Sequence, residues 1–108
     1  MEFRVRELHL SQEALDGLSQ ILDYIAADFQ LDVLLRFQDR WESFKETVVH
    51  TPRRYAVYTV EEGIPVHKAI LNGLTVILFT FDDTRVNIEA IFDTRSDWQG
   101  KFPPGTPR

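Results

Sequence analysis

Hydrophobic residues recur along this chain with two different periods. Leu15, Leu18, Leu22, Ile25 and Phe29 follow one another at steps of 3, 4, 3 and 4, which places them on one face of a helix. Continued in register, that face would next meet Asp32, Arg36, Asp39 and Ser43, all polar. A new seam begins instead at Leu34 and runs through Phe37, Trp41, Phe44 and Val48, again at 3, 4, 3 and 4. The phase break predicts two helices joined by a tight turn at Gln30 to Asp32. Ser11 is the expected N-cap of the first helix, with Glu13 in the first turn against the positive end of the dipole. Asp32 is a cap for the second helix, and Pro52 stops it by Thr51, because proline disfavours helical geometry in the residue before it.

Beyond Pro65 the pattern becomes extended. Val66 to Leu71, Leu74 to Phe81 and Val86 to Phe92 are apolar runs separated by Asn72-Gly73 and by Asp82-Asp83-Thr84-Arg85. Asn-Gly suits a type I′ hairpin turn, whose two central residues both need positive φ. Three antiparallel strands in meander order follow, with the middle one central. Leu74 to Phe81 is apolar on both parities, as in a strand covered on both faces. A two-residue turn puts Ala69 opposite Val76, Lys68 opposite Ile77 and His67 opposite Leu78. His67 and Lys68 then face opposite sides of the sheet, one toward the helices and one toward the open side.

The remaining segments are less regular. Phe3-Arg4-Val5-Arg6 alternates and Leu8-His9-Leu10 alternates with opposite parity, which predicts an N-terminal strand with a bulge or kink around Glu7. Arg53 to Val60 is extended in composition, either a short strand or a segment lying along the sheet, and Glu61-Glu62-Gly63 with Pro65 reads as a loop. Lys101 to Arg108 holds three prolines and a glycine, the composition of a frayed tail. The expected architecture is a two-layer α+β domain: an N-terminal strand, an antiparallel helical hairpin, then a three-strand antiparallel meander. Residues 1–98 form this single domain and 99–108 a flexible C-terminal tail.

Composition narrows the function classes. At 108 residues and 44% hydrophobic, the chain supports one core. No apolar run approaches membrane-spanning length and Met1-Glu2-Phe3-Arg4 lacks a signal-peptide core, so no membrane association is expected. The absence of cysteine excludes disulfides and thiolate chemistry and fits a cytoplasmic location. The net charge of −5 is confined to one place: residues 11–32 carry five acids and no Lys or Arg, while residues 33–108 carry ten of each sign. Net charge is therefore a weak argument against a nucleic-acid-related target.

Candidate chemistry is sparse. His9, His50 and His67 are not spaced as metal ligands, and neither a metal nor a cofactor is expected. Glu61-Glu62 and Asp82-Asp83 are read as solvated turn carboxylates. Three residues stand out as site candidates: His67 and Lys68 on the hairpin strand, and Arg95 just past the last strand, flanked by Asp93 and Asp97. Arg95 reads either as a structural ion pair or as a planar fork for phosphate or carboxylate.

The order of elements and several stretches resemble the RelE/ParE family of toxins from bacterial toxin–antitoxin pairs. The stretches are Leu8 to Ala14, Ile21-Leu22-Asp23-Tyr24-Ile25, Thr51-Pro52, Gly63 to Leu71, and Val86 to Asp97. The resemblance spans roughly Phe3 to Trp98. It implies a small twisted sheet covered on one face by the helical hairpin, and an antitoxin whose C-terminal segment wraps and blocks the toxin. It also implies one of two activities. RelE-like members cut mRNA on the ribosome with Lys, Arg, His, Glu or Tyr side chains, and ParE-like members inhibit DNA gyrase with no known hydrolytic site.

Carried over by position, the strand that often bears a functional arginine offers His67 and Lys68, and the arginine near the C-terminus is matched by Arg95. Asp93 stands where many relatives have histidine. A carboxylate there repels phosphate and cannot stabilise a leaving group. The reading is therefore ParE-like: a non-enzymatic toxin that inhibits growth by binding a target such as DNA gyrase and is neutralised by a cognate antitoxin. The alternatives are a ribosome-dependent endoribonuclease using Lys68, Arg95 and His67, and a non-toxic protein-binding module on the same fold.

Overall fold

A computed structural model describes residues 5–104. Its elements are β1 (Glu7–Leu10), α1 (Gln12–Asp28), α2 (Leu31–His50), a 3₁₀ turn (Pro52–Arg54), β2 (Val57–Glu61), β3 (Ile64–Leu71), β4 (Thr75–Phe81), β5 (Arg85–Asp93) and a helical turn, α3 (Trp98–Lys101). Within the described residues the strands form one five-stranded sheet in the order β1-β5-β4-β3-β2. The meander has the expected order, with β4 at the centre. It gains a fourth strand, because Glu61-Glu62-Gly63-Ile64 is a second tight hairpin: Glu62 and Gly63 have φ of 52° and 82°. β1 lies parallel to β5, with Leu8 opposite Val86 and Leu10 opposite Ile88.

The Asn72-Gly73 turn forms as its chemistry demands, with φ of 56° and 70°. Its register differs from the simple expectation by one residue. His67 pairs with Phe79, Lys68 with Leu78 and Ala69 with Ile77. Leu74 is the extra residue. Its N–H closes the turn on the Leu71 carbonyl at 3.0 Å, and its own carbonyl accepts from Thr94 N at 2.9 Å on the other side. Leu74 thus serves β5, and the β3–β4 ladder starts at Leu71–Thr75.

A second irregularity sits in β5. The ladder passes from Leu78–Ala90 to Phe79–Ile88, leaving Glu89 as a bulge. Val86, Ile88 and Ile91 consequently all join the core beneath the helices, although 88 and 91 differ in parity.

Both helices lie on that face. Of the expected α1 seam, Ile25 is buried and Leu18 and Leu22 pack against the core, but the inward side is rotated toward Ala14, Gly17 and Ile21. Ala14, Ile21 and Ile25 are buried, whereas Leu15 and Phe29 remain 46% and 43% exposed. The cause is Gly17: a Cβ there would overlap the backbone carbonyl of Ile91. The helix rests its small-residue side directly on β5, and its leucines sit at the flank. α2 follows the expected seam, with Phe37, Trp41, Phe44 and Val48 buried. Ser11 caps α1, its Oγ accepting from Ala14 N at 3.0 Å and donating to the Glu89 carbonyl at 2.7 Å. Asp32 does not cap α2. Gln30 occupies that position with no side-chain hydrogen bond, and Asp32 lies within the first turn, paired with Arg36 at 3.0 Å.

The opposite face of the sheet is partly covered. Val66, Val76 and Leu78 form a small cluster with Trp98, and Tyr58, Phe92 and Phe102 pack around it. The Tyr58 hydroxyl donates to the Phe102 carbonyl at 2.9 Å. The chain from Trp98 to Phe102, expected to open a tail at residue 99, is thus held on the sheet by aromatic burial. Only 105–108 of that tail, and Phe3 and Arg4 of the predicted first strand, lie outside the described residues. The strand itself starts at Glu7, so the parity change expected there is the point where pairing begins.

Candidate functional site

His67 faces the helices. It is 8% exposed, stacked on Phe79 with centroids 5.5 Å apart and planes 20° apart, and tilted against Phe81 at 4.9 Å. Its Nδ1 lies 2.8 Å from the Tyr55 carbonyl, which can only accept, so this nitrogen carries the proton. Phe44 and Tyr55 close the rest of the aromatic cluster around Phe79. His67 is therefore a core ring that ties the segment before β2 to β3.

Lys68, its neighbour, points to the other face. Its ammonium lies 6.0 Å from the centroid of Trp98, at the outer limit of cation–π attraction. The one-residue register shift leaves this division intact while changing the cross-strand neighbours: Phe79 beside His67 and Leu78 beside Lys68.

Arg95 lies beyond β5, on the side of α1. Its Nε and Nη2 donate to the two carboxylate oxygens of Asp93 at 3.1 and 2.8 Å, its backbone N–H adds a third bond at 2.8 Å, and its guanidinium sits 5.0 Å from the Tyr24 ring. Hydrogen bonding to Asp93, with the Tyr24 hydroxyl as a second partner, holds the Arg95 proton more tightly than usual. The same bonds push the Asp93 carboxyl below the ordinary aspartate range. The crevice beside this pair has a volume of ≈30 Å³, and the buried Thr75 hydroxyl that also lines it lacks a hydrogen-bond partner among the described residues. The resemblance set Asp93 as a charge that would repel phosphate. The structure gives it a different task, since it neutralises and orients the arginine next to it.

The three sequence candidates do not converge. His67 is buried in one face, Lys68 lies on the other, and Arg95 is tied to Asp93 against α1. No proton donor and acceptor among them share a place where a substrate atom would sit. Among the described residues, no three His, Asp or Glu side chains are grouped as a metal would require. Trp98 and Tyr24, against which Lys68 and Arg95 lie, are neighbours that reading the chain as a line misses. The available signal was the aromatic content from the end of β5 onward, where Phe92 in the strand is followed by Trp98 and Phe102.

Neither a protein-family model nor a curated protein matches the chain. Among solved structures, the chain is similar to one from the chromosomal ParDE TA system of P. aeruginosa, with a TM-score of 0.63 and 13% identity over 82% of this chain and 96% of that one. The shared fold is the ParE-like α+β arrangement that the resemblance implied. No helix of the described residues is long and apolar enough to cross a membrane.

Proposed function

We propose that this chain is the toxin half of a bacterial type II toxin–antitoxin pair, ParE-like in that it inhibits growth by binding a cellular target such as DNA gyrase and is neutralised by a cognate antitoxin in the cytoplasm. The observation that carries the reading is the fold shared with a chain of a ParDE system over 82% of this chain. The dispersal of His67, Lys68 and Arg95 supports binding over cutting, since mRNA cleavage needs a proton acceptor and a cation around one phosphate. His67 meets neither need from inside the aromatic cluster.

The test is inducible expression in a bacterial host without any antitoxin, followed by supercoiling assays with purified DNA gyrase and primer extension on cellular mRNA. The expected result is arrested growth, inhibited supercoiling and intact transcripts. Unimpeded growth would overturn the toxin reading. New cleavage ends in mRNA, abolished by Lys68→Ala or Arg95→Ala, would replace it with a nuclease.

A further inference from the structure

The face of the sheet away from the helices holds a groove of ≈480 Å³ that none of the residues discussed so far explains. The β2–β3 hairpin forms one side with Glu61, Glu62 and Ile64, and the C-terminal segment forms the other with Lys101 and Phe102. Val66, Thr80 and Glu89 lie between them. Its size falls within the range of binding pockets. Its chemistry is a mixture: Ile64 is 54% exposed, and three carboxylates face a single ammonium.

The carboxylates reach the groove by separate structural routes. Glu61 and Glu62 are held there by the tight turn whose φ values at Glu62 and Gly63 are 52° and 82°. Glu89 is the bulged residue of β5, and Thr80 Oγ1 fixes its Oε1 at 3.2 Å. None of the three makes an ion pair among the described residues. Three negative charges beside one positive charge repel phosphate, so the groove does not suit nucleic acid. The exposed Ile64 and the part-buried Phe102 beside those charges suit a side chain with an apolar stem and a cationic head. The groove also borders β2, the last strand of the sheet among the described residues. An edge strand accommodates an extended chain.

We propose that the groove binds a short extended segment of a partner protein in which a lysine or arginine lies between aliphatic residues, the cation meeting Glu61, Glu62 and Glu89 and the aliphatics covering Ile64 and Phe102. The inference rests on the toxin–antitoxin reading only for the expectation that a protein partner exists. The groove's chemistry is tested on purified protein, so its outcome is separable from that of the growth assay.

The experiment is selection of peptides from a random nine-residue display library on the full chain, followed by titration of the enriched peptides against the parent and the Glu61→Gln, Glu62→Gln, Glu89→Gln triple variant. Glutamine at 89 keeps an acceptor for Thr80, and a thermal melt matching the parent checks the fold. Enriched sequences should carry Lys or Arg between aliphatic residues, shift the Ile64, Val66 and Trp98 resonances, and bind the triple variant at least tenfold more weakly. A single Ile64→Ser variant, which leaves every charge in place, should also weaken binding. Absence of enrichment, acidic or uncharged consensus sequences, equal binding to the triple variant, or an RNA oligonucleotide shifting the same resonances would each overturn the proposal.

Discussion

Arg95 grips Asp93 through two parallel hydrogen bonds of 3.1 and 2.8 Å, and Asp93 pairs across the sheet with Thr75 at the mouth of the β3–β4 hairpin. The pair closes the end of the meander: Thr94 N–H and Oγ1 bond the Leu74 and Gly73 carbonyls at 2.9 and 3.0 Å, and Arg95 turns back over Tyr24 of α1. Asp93 is thus the link between the hairpin and the helix.

That link has a pH signature. The Asp93 carboxyl is held below its ordinary value by Arg95, and Asp82 is lowered too, chiefly by the Thr84 backbone N–H. A carboxyl depressed in the folded state contributes stability that is complete above its unfolded value, near 4, and is lost as pH falls through the folded value. The parent should therefore lose stability below about pH 4. Asp93→Asn should be less stable at pH 7 and show a shallower decline on acidification, with the two curves approaching each other at pH 2. Urea midpoints from pH 7 to pH 2 decide it, and parallel curves would remove Asp93 from the account.

His67 should behave as a core residue. His67→Ala removes a ring stacked on Phe79 and leaves the Tyr55 carbonyl without its donor. The combined cost is about 2–3 kcal/mol. For a chain of this size that lowers Tm by roughly 10 °C. A variant with unchanged Tm but altered growth inhibition would return His67 to the list of functional residues.

The substitution Gly17→Ala separates intrinsic propensity from packing. Alanine inside a helix is favoured over glycine by about 1 kcal/mol. Here its Cβ would fall on the Ile91 carbonyl, so α1 would have to lift from β5. Overpacking of this kind costs about 1–3 kcal/mol, and against backbone the upper end applies. The expected net result is destabilisation by about 2 kcal/mol, read as a lower urea midpoint. A stabilised variant would mean that α1 does not rest on β5 at this point.

Gly17 also marks where sequence reading failed. Period located both helices and the turn between them, and the proline the stop before Pro52, because these depend on local chemistry. The inward face of α1 is rotated from the leucine seam, of which Leu18, Leu22 and Ile25 still meet the core, because the closest contact belongs to a residue with no side chain. The Asn72-Gly73 turn was readable for the same local reasons, but its register was not. The displacement of Leu74 depends on Thr94, twenty residues away in sequence, donating to its carbonyl. The pairing of β1 with β5 and the burial of Trp98 are likewise settled only by contacts between distant segments. At the candidate site the sequence supplied residues but not their company. It presented Arg95 as either a structural ion pair or a ligand grip, and what the structure adds is the bidentate pair with Asp93.

The remaining prediction concerns Thr75, whose hydroxyl is buried with 1% of the residue exposed and has no partner among the described residues. It lines the crevice with Ile21, Ile25 and Phe37 and also with Tyr24, Asp93 and Arg95, none of which hydrogen-bonds to it. A buried hydroxyl without a hydrogen bond costs about 1–3 kcal/mol relative to the same group in water. Valine has nearly the same shape and no polar atom, and it favours a strand. Thr75→Val should therefore stabilise the fold by about 1 kcal/mol, raising Tm by roughly 5 °C without altering the β3–β4 pairing. If stability falls instead, a water in the crevice satisfies the hydroxyl. The Asp93→Asn and Thr75→Val effects should then fail to add in a double-mutant cycle, since both residues line that crevice.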